Sequence, residues 1–421
     1  SAEERLQSYV IKRMEKMLAK YDRKIIGWDE ILEGGLSPDA TVMSWRGTSG
    51  GISAALQKHD VIMTPGSGGL YLDHYQGDYK IEPVTIPSAP AYLSRTYNYE
   101  PVPDTIKSLG LEKHILGVQC NNWSEYMYTN AKMEYQMYLA EIAWSPAKKK
   151  NFTDFARRVD ANSVRLDERH VRYHIPLPEQ PYGSCDKVVI TKDTVVTFQT
   201  SRPMKMVYTL DGSIPTPSSA VYTEPIKVSG NTTIKIATVL PSGKMSKVRT
   251  IDVEKQTYAP AVKLNDAKAG LQLRRMKGNY LKVNQLELAD AEWQDCGTVE
   301  NLNKMKVSQP DDAATLRGAN NYAAIAEGYI NIPEDGVYYL SSRMEQIWID
   351  NKLDINNEGA VKAGTNSDNS VALAKGLHPV KFVYLCNIVG GWPSWWSNLT
   401  LEMRKDNQKK FTGVAGTQYF H

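Results

Sequence analysis

The sequence is poor in cysteine, in net charge and in long apolar runs. Four cysteines occur in 421 residues, at positions 120, 185, 296 and 386, without the spacing of metal ligands, which indicates free thiols or at most one incidental pair. A net charge of +3 argues against nucleic acid or an acidic membrane surface as a partner. No apolar run approaches a membrane span, and the N-terminus lacks the layout of a signal peptide.

Phenylalanine is also scarce, whereas other aromatic residues are plentiful. The chain has 24 Tyr and nine Trp against six Phe. Amphipathic rings stack on a sugar face and still form hydrogen bonds, although β-rich domains also use tyrosine for packing alone. A length of 421 residues suggests about three domains.

The first part of the chain alternates apolar strands with helices. An amphipathic helix is predicted at 3–21, and further helices at 49–58 and 131–143. Strands are predicted at 24–28, 41–45, 61–64 and 115–119. Continuous apolar strands in βα units indicate a parallel sheet buried on both faces, and such a sheet carries its active site at the C-terminal ends of the strands.

From residue 65 onward, the pattern of apolar and turn-forming residues is different. The stretch 65–110 is long and irregular, which is typical of a functional loop. After a proline-rich run at 175–181, short alternating strands with turn signals predict a small β-sandwich and then a larger β-sandwich. The predicted domains are 1–182, 183–258 and 259–421. The last fifteen residues are polar, and we expect them to be frayed.

Aromatic and acidic side chains stand at the C-terminal end of each predicted parallel strand. These residues are Trp28, Trp45, Tyr71, Asp73, Trp123 and Glu125. Three indoles form an apolar cage, while the phenol and two carboxylates supply directed hydrogen bonds. This combination suits a pyranose with an apolar substituent such as an acetamido methyl group. The alternative is that the tryptophans only fill a hydrophobic core.

Several motifs in this region resemble those of a known enzyme family. They are residues 6–9 (LQSY), 25–36 (IIGWDEILEGGL), 40–47 (ATVMSWRG), 71–73 (YLD), 117–119 (GVQ), 123–125 (WSE) and 140–145 (AEIAWS). In this order and spacing they resemble the second half of a glycoside hydrolase family 20 β-N-acetylhexosaminidase, over about residues 3–180. The resemblance implies the C-terminal half of a (β/α)8 barrel, strands five to eight, followed by the two β-domains.

The resemblance also implies roles for the strand-end residues. The three tryptophans would line the pocket for a terminal N-acetylhexosamine. Tyr71 would bind the acetamido carbonyl, and Asp73 and Glu125 would hold ring hydroxyls. Family 20 uses substrate-assisted catalysis: the acetamido oxygen attacks C1, an Asp stabilises the acetamido group, and the adjacent Glu protonates the leaving oxygen. Neither the resemblance nor the residues distinguish N-acetylglucosamine from N-acetylgalactosamine.

This sequence contains no counterpart of that catalytic Asp-Glu pair. In the family the pair follows a His-x-Gly-Gly run at the end of strand four, which would lie upstream of Ser1. Asp29 and Glu30 belong to the strand-five motif, so no catalytic residue is assigned here. We expect the chain to be inactive alone. Its open barrel edge would be covered by the missing N-terminal half of the barrel or by a second copy. The alternative is a non-catalytic glycan-binding or scaffold protein acting through its C-terminal β-domains.

The downstream domains have relatives of their own. The run at 208–216 (YTLDGSIPT) looks like the small sandwich that follows many bacterial hexosaminidase barrels. Residues 327–379 are similar to the protective-antigen-type β-domain. Some members of that family bind sugar through calcium held by paired aspartates. The matching stretch, 341–346, has no such pair, so no metal or cofactor is predicted. By resemblance, the protein would be periplasmic or extracellular.

Two further clusters have competing interpretations. Trp392, Trp395 and Trp396 lie in a loop-like segment, where they either form a secondary glycan platform or fill a hydrophobic core. His170 and His174 fit no metal motif, and we expect both to be solvated.

Overall fold

A computed structural model describes most of the chain. The described residues are 1–78, 81–82, 85, 91–123, 144–183, 185–310, 312–359, 367–389 and 392–421. Contacts divide it into a first unit, Ser1–Pro176 with Ser201–Pro203, and a second unit, Leu177–Thr200 with Met204–His421. Among the described residues, no helix combines the length and apolar character needed to cross a bilayer.

The first unit contains a four-stranded parallel sheet. Its strands are β1 (Ile26–Trp28), β2 (Thr41–Ser44), β3 (Val61–Met63) and β4 (Ile115–Val118). They pair in sequential order, so β1 and β4 are the two edges. The predicted parallel sheet is confirmed, with each strand within two residues of its expected ends.

Five helices of the first unit are described. They are α1 (Ala2–Ala19), α2 (Ser49–Leu56), α3 (Leu93–Tyr97), α4 (Asp104–Ser108) and α5 (Phe152–Glu168). Ser1 caps α1, because its side chain accepts from the Glu4 backbone N–H and the Glu4 side chain returns the interaction. Sequence reasoning missed α5, and the predicted helix at 131–143 lies outside the described residues.

Helix α1 leaves most of its apolar face uncovered in this chain. Leu6 and Met17 are each 63% exposed, and Val10 and Met14 are exposed too. The helix rests on the unit through Ser8, whose hydroxyl donates to the Gly35 carbonyl at 2.9 Å, and through Ile11, which packs against the core. The apolar stripe that defined this helix in the sequence therefore faces away from the contacts that the chain itself provides.

The core of the first unit lies between the sheet and α2. It is formed by Val42, Val61 and Met63 from the strands and Ala54 and Ala55 from the helix, all buried. Alanines allow α2 to approach the sheet closely. The helix thereby covers one face of the central strands.

The second unit begins with seven short strands. They are β5 (Lys187–Ile190), β6 (Thr194–Val196), β7 (Lys205–Thr209), β8 (Ala220–Val221), β9 (Ile226–Val228), β10 (Thr232–Val239) and β11 (Arg249–Lys255). Five form a sheet in the order β5-β11-β10-β7-β8, and β6 pairs with β9. Apolar side chains from both sheets, including Val196, Ile234 and Ile251, form one cluster.

Thirteen further strands complete the second unit. They are β12 (Leu271–Lys277), β13 (Gln294–Val299), β14 (Tyr322–Ile332), β15 (Gly336–Ser342), β16 (Gln346–Ile349), β17 (Lys352–Asn356), β18 (Ser367–Leu373), β19 (Gly376–Cys386), β20 (Ile388–Val389), β21 (Trp392–Pro393), β22 (Leu401–Lys405), β23 (Thr412–Gly413) and β24 (Tyr419–Phe420).

These strands build two principal sheets around one core. The first has the order β13-β12-β14-β19-β16-β17, with β24 also paired to β14, and the second has the order β18-β15-β22-β23. Phe382 and Ile330 from the first sheet share a cluster with Leu340 and Leu401 from the second. The expected frayed C-terminus is wrong, because Tyr419 is buried and its strand pairs with β14.

Candidate active site

The four parallel strands deliver aromatic residues to one end of the sheet. Trp28 is the last residue of β1, and Trp45 follows β2 directly. Tyr71 comes after β3, where it forms a bridge with Asn121, and Trp123 comes after β4. Because parallel strands end on the same side, these side chains are available to a common site.

Two of the tryptophans meet although their strands are the opposite edges of the sheet. The rings of Trp28 and Trp123 have centroids 5.7 Å apart and are tilted by 44°. In a flat sheet of four strands, the edges would be about 14 Å apart, because neighbouring strands are separated by about 4.8 Å. The loop after β4 and the twist of the sheet therefore bring the two indoles together over the strand ends.

The other aromatic pair is formed by Trp45 and Tyr71. Their rings are nearly parallel, at 10°, with centroids 6.4 Å apart. His74, which sequence reasoning missed, lies edge-on to Tyr71 at 5.4 Å. Burial raises the pKa of Tyr71 to about 12, against smaller opposing hydrogen bonds. Its hydroxyl is therefore protonated at neutral pH and can act as a donor.

Asp29 is a buried clamp beneath the loop that follows β2. Its side chain is only 2% exposed and accepts from the Trp45 backbone N–H at 3.2 Å, the Arg46 backbone N–H at 3.3 Å and Arg46 Nε at 2.6 Å. A Cβ at Gly50 would lie 2.7 Å from the Asp29 Cβ, so the carboxylate fits because residue 50 is glycine. The hydrogen bonds that Arg46 donates to Glu33 and then to Asp29 raise the pKa of Arg46.

Glu30 holds the indole of Trp45. Both of its carboxylate oxygens lie near Trp45 Nε1, at 3.0 and 2.9 Å, so the indole N–H donates to this carboxylate. The neighbouring acids Asp29 and Glu30 are thus engaged with Trp45 and Arg46. In this geometry the two carboxylates fix the position of Trp45 and of the loop that follows β2.

Asp73 anchors the loop that carries Trp123. Its side chain is 1% exposed, and its Oδ2 accepts from the Trp123 backbone N–H at 3.0 Å. Asn121, also missed in the sequence, ties the same loop to β3, because its side chain donates to Thr64 Oγ1 at 2.8 Å and its backbone N–H donates to the Leu70 carbonyl at 2.9 Å. Glu125 lies outside the described residues.

The remaining candidates have mixed positions. His174 is not solvated as expected, because its side chain is mostly buried 3.7 Å from the carboxylate of Glu82, whereas His170 is exposed. All four cysteines are free. Within the described part of the chain, no group of three His, Cys, Asp or Glu side chains could hold a metal ion.

The C-terminal tryptophans differ in their exposure. Trp395 is partly buried against the large core, whereas Trp396 is 58% exposed. Trp392 meets Trp396 edge-to-face, with centroids 5.2 Å apart and planes at 89°.

Three segments of the chain match known domain families. Residues 1–147 match the glycosyl hydrolase family 20 catalytic domain, residues 188–250 match the chitobiase/beta-hexosaminidase C-terminal domain, and residues 290–414 match the PA14 domain. The resemblances inferred from the motifs are therefore confirmed, in the same order along the chain.

Similar proteins include two curated relatives. A beta-hexosaminidase from Porphyromonas gingivalis (strain ATCC BAA-308 / W83) is 46% identical over 430 residues, covering 99% of this chain and 54% of the relative. A beta-hexosaminidase from Vibrio furnissii is 33% identical over 134 residues, covering 32% of this chain and 22% of the relative. The chain thus spans about half the length of the first relative.

A solved structure is also similar to part of this chain. The GH20 exo beta-N-acetylglucosaminidase from Vibrio harveyi, in complex with N-acetylglucosamine, is 26% identical, with a TM-score of 0.36 and coverage of 40% of this chain and 27% of that one. The three domain matches and the Porphyromonas gingivalis relative together establish that this chain carries part of a glycosyl hydrolase family 20 catalytic domain, followed by a chitobiase/beta-hexosaminidase C-terminal domain and a PA14 domain.

Proposed function

We propose that the first unit forms the sugar-binding wall of an exo-acting β-N-acetylhexosaminidase, which removes terminal β-linked N-acetylhexosamine with retention of configuration. The observation that carries this proposal is the contact between Trp28 and Trp123 over the strand ends, beside the stacked pair of Trp45 and Tyr71. Indole faces pack against the C–H faces of a pyranose and exclude water from it.

In this proposal, β1 to β4 are strands five to eight of an eight-stranded barrel. The exposed apolar residues support it: Ile26 on the first edge strand, Leu116 on the last, and the uncovered face of α1. Open edges and apolar faces of this kind require a cover. The rest of the barrel supplies it, with a second copy of the chain as the other candidate.

The catalytic step needs groups that these 421 residues do not include, because they contain no His-x-Gly-Gly-Asp-Glu run. In the proposed reaction the acetamido oxygen of the substrate attacks C1, an Asp from that run stabilises the acetamido group, and its neighbouring Glu protonates the leaving oxygen. Tyr71, protonated at neutral pH, donates to the acetamido carbonyl. Asp73 and Glu125 serve the ring hydroxyls, and Asp73 also fixes the Trp123 loop.

Calorimetric titration with N-acetylglucosamine tests the wall separately from the chemistry. The chain should bind the sugar, and Trp28→Ala should weaken binding by about 30-fold or more, the effect of losing a central aromatic contact. Trp144→Ala, which removes an indole that is 87% exposed, is the control and should leave the affinity unchanged. Equal affinities for the wild type and Trp28→Ala would remove the cage from the proposal.

Tyr71→Phe probes the role of the hydroxyl. It should weaken N-acetylglucosamine binding by about three- to tenfold, the effect of one neutral hydrogen bond, and leave glucose binding unchanged. Equal losses for both sugars would contradict acetamido recognition by Tyr71.

The substrates of a family 20 enzyme would place the protein in the periplasm or outside the cell.

A second candidate function is glycan binding through the C-terminal β-domains. The exposed indole of Trp396 favours it. It is compatible with the catalytic proposal, because the two functions use different residues.

A further inference from the structure

An open cleft of about 440 Å³ lies in the second unit beside Trp396. Its walls include Lys306, Gln309, Pro310, Leu316, Trp395 and Trp396. The exposed ring of Trp396 forms one side, and the segment that follows Met305 forms the other. A volume of this size lies within the range of small-ligand sites, about 300–1,000 Å³.

The aromatic side of the cleft is rigidly held from below. Trp395 and Trp396 belong to a short 3-10 turn, Ser394–Trp396, that starts from a buried serine. The Ser394 hydroxyl accepts from the Asn387 backbone N–H at 3.0 Å and donates to the Leu385 carbonyl at 3.0 Å, and it also meets the Tyr384 hydroxyl at 3.0 Å. The exposed indole is therefore presented by an ordered, hydrogen-bonded support.

Lys306 ties the two sides of the cleft together. Its ammonium donates to the Ser397 carbonyl at 2.8 Å and to the Trp395 carbonyl at 3.4 Å. Burial lowers the pKa of Lys306. The ammonium is thus committed to the loop carrying the indoles, and it is poorly placed to attract an anionic ligand.

The edge of the platform is braced by a third indole. Trp392 and Trp396 meet at 89°, with ring centroids 5.2 Å apart, so each indole restricts rotation of the other. An aromatic side chain fixed in this way loses little conformational entropy on binding a ligand. Exposure of a large, pre-oriented apolar ring is the pattern of a binding surface rather than of core packing.

The chemistry of the lining selects the ligand class. None of the described residues that line the cleft carries a carboxylate, and its one ammonium is already engaged. Gln309 and Ser308 also line the cleft. The Gln309 Nε2 donates to Cys386 Sγ at 3.7 Å, so the amide oxygen is the Gln309 atom assigned to a ligand. A flat apolar face bordered by neutral hydrogen-bonding groups matches a ring with one C–H face and peripheral hydroxyls.

We propose that this cleft is a second carbohydrate site, which binds a neutral pyranose by stacking it on Trp396 and hydrogen-bonding it through Gln309 and Ser308. It needs no metal ion. It rests on the second candidate function, glycan binding through the C-terminal β-domains. It shares no residue with the cage of the first unit, so it does not depend on the catalytic proposal. In a glycan-degrading protein, such a site would hold the substrate or a neighbouring chain.

The test uses the full chain with its cage disabled by Trp28→Ala and Trp123→Ala. Lactose, cellobiose and N,N′-diacetylchitobiose serve as neutral probes, and binding is followed by saturation-transfer NMR titration. At least one probe should bind this background. Adding Trp396→Ala should weaken that binding by about tenfold or more, as expected for loss of an aromatic stacking partner.

Two controls separate stacking from unfolding. Trp396→Phe retains a smaller ring and should give an intermediate affinity, while Trp144→Ala should not change it. Near-UV circular dichroism should show that the Trp396 variants keep the native fold. The proposal is overturned if none of the three disaccharides binds the cage-disabled chain, or if Trp396→Ala binds as tightly as its parent. Failure of the cage itself would appear separately, as loss of N-acetylglucosamine binding in the wild-type chain.

Discussion

The two units handle their apolar residues in opposite ways. In the second unit, the strands of two sheets enclose Phe382, Leu340 and the rest of a large cluster, and the C-terminal strand closes over β14. In the first unit, Leu6 and Met17 of α1 face solvent, and the edge strands β1 and β4 expose apolar side chains. The strands of the second unit enclose this large cluster by themselves. The first unit has a pattern that its own described residues do not satisfy.

This difference separates a scaffold from an incomplete site. An antiparallel pair of sheets buries one face of each sheet against the other, so a complete core forms within the segment. A parallel sheet needs helices on its faces and either neighbours or closure at its edges. The proposed cage of Trp28, Trp45 and Trp123 would therefore stand on the less complete of the two units.

Hydrogen exchange should show the largest contrast between the units. The amides of β1 and β4 in the monomer should exchange about 100-fold or more faster than those of β14 and β19, because a sheet with open edges opens locally at lower free energy. Mass spectrometry after proteolysis measures both sets in one sample. Equal protection of the two sets in a verified monomer would contradict the comparison. Strong protection of β1 and β4 only in a dimer would identify a second copy as the cover.

Asp29→Ala should lower the unfolding free energy of the first unit by about 3 kcal/mol, since it removes a buried carboxylate that accepts from two backbone N–H groups and from Arg46. The unfolding transition of the second unit should not move. Urea denaturation followed by exchange at α2 and at β14 resolves the two. Asp39→Ala is the matched control, because Asp39 is exposed and lies 3.7 Å from Lys24; its effect should be below about 0.5 kcal/mol. Similar losses from both substitutions would contradict the clamp.

A buried carboxylate gives the second unit its own pH dependence. Burial raises the pKa of Asp354 to about 7, opposed by Lys187 and Lys352 and assisted by Asp350. Its ordinary value is about 4, so between about pH 4 and pH 7 the folded state binds more protons than the unfolded state. The unfolding free energy should therefore fall as the pH rises through this range, by about 4 kcal/mol from Asp354, because each unit of pKa shift corresponds to about 1.4 kcal/mol.

Asp354→Asn isolates that contribution. The variant should be more stable, relative to the wild type, at pH 8 than at pH 5, because an amide does not ionise. Urea midpoints of the second unit at the two pH values provide the measurement, with the exposed Asp290→Asn as the matched control. A difference between variant and wild type that is the same at both pH values would rule out titration of Asp354 in this window.

Much of the first unit was accessible from the sequence, since local patterns determine it. Continuous apolar runs located four parallel strands, and tryptophans at their ends located the cage. The pairing of Trp28 with Trp123 was not predictable in detail, because it depends on how far the loop after β4 folds over the sheet. The exposure of the apolar face of α1 was not predictable either. An apolar stripe on a helix indicates that the helix packs against a partner, but it does not indicate which chain provides that partner.

Other features were not predicted from the sequence, for specific reasons. Helix α5 was not predicted although it has a local signal, with Asn151 as N-cap and Phe155, Ala156 and Val159 spaced along one buried face. The burial of Asp29 depends on the space left by Gly50, which no local pattern reveals. His174 meets Glu82 across 92 positions of sequence, so only the fold brings them together.

Hydrolysis of 4-nitrophenyl β-N-acetylglucosaminide tests whether the first unit is one wall of a shared active site. The 421-residue chain, purified twice, should release no nitrophenol above the buffer rate. The same chain joined to an upstream segment with a His-x-Gly-Gly-Asp-Glu run should turn over, and Trp28→Ala in that longer protein should lower kcat/KM by about 30-fold or more. Turnover by the 421-residue chain alone, abolished by Trp28→Ala, would contradict the assignment of the catalytic acid to residues outside it.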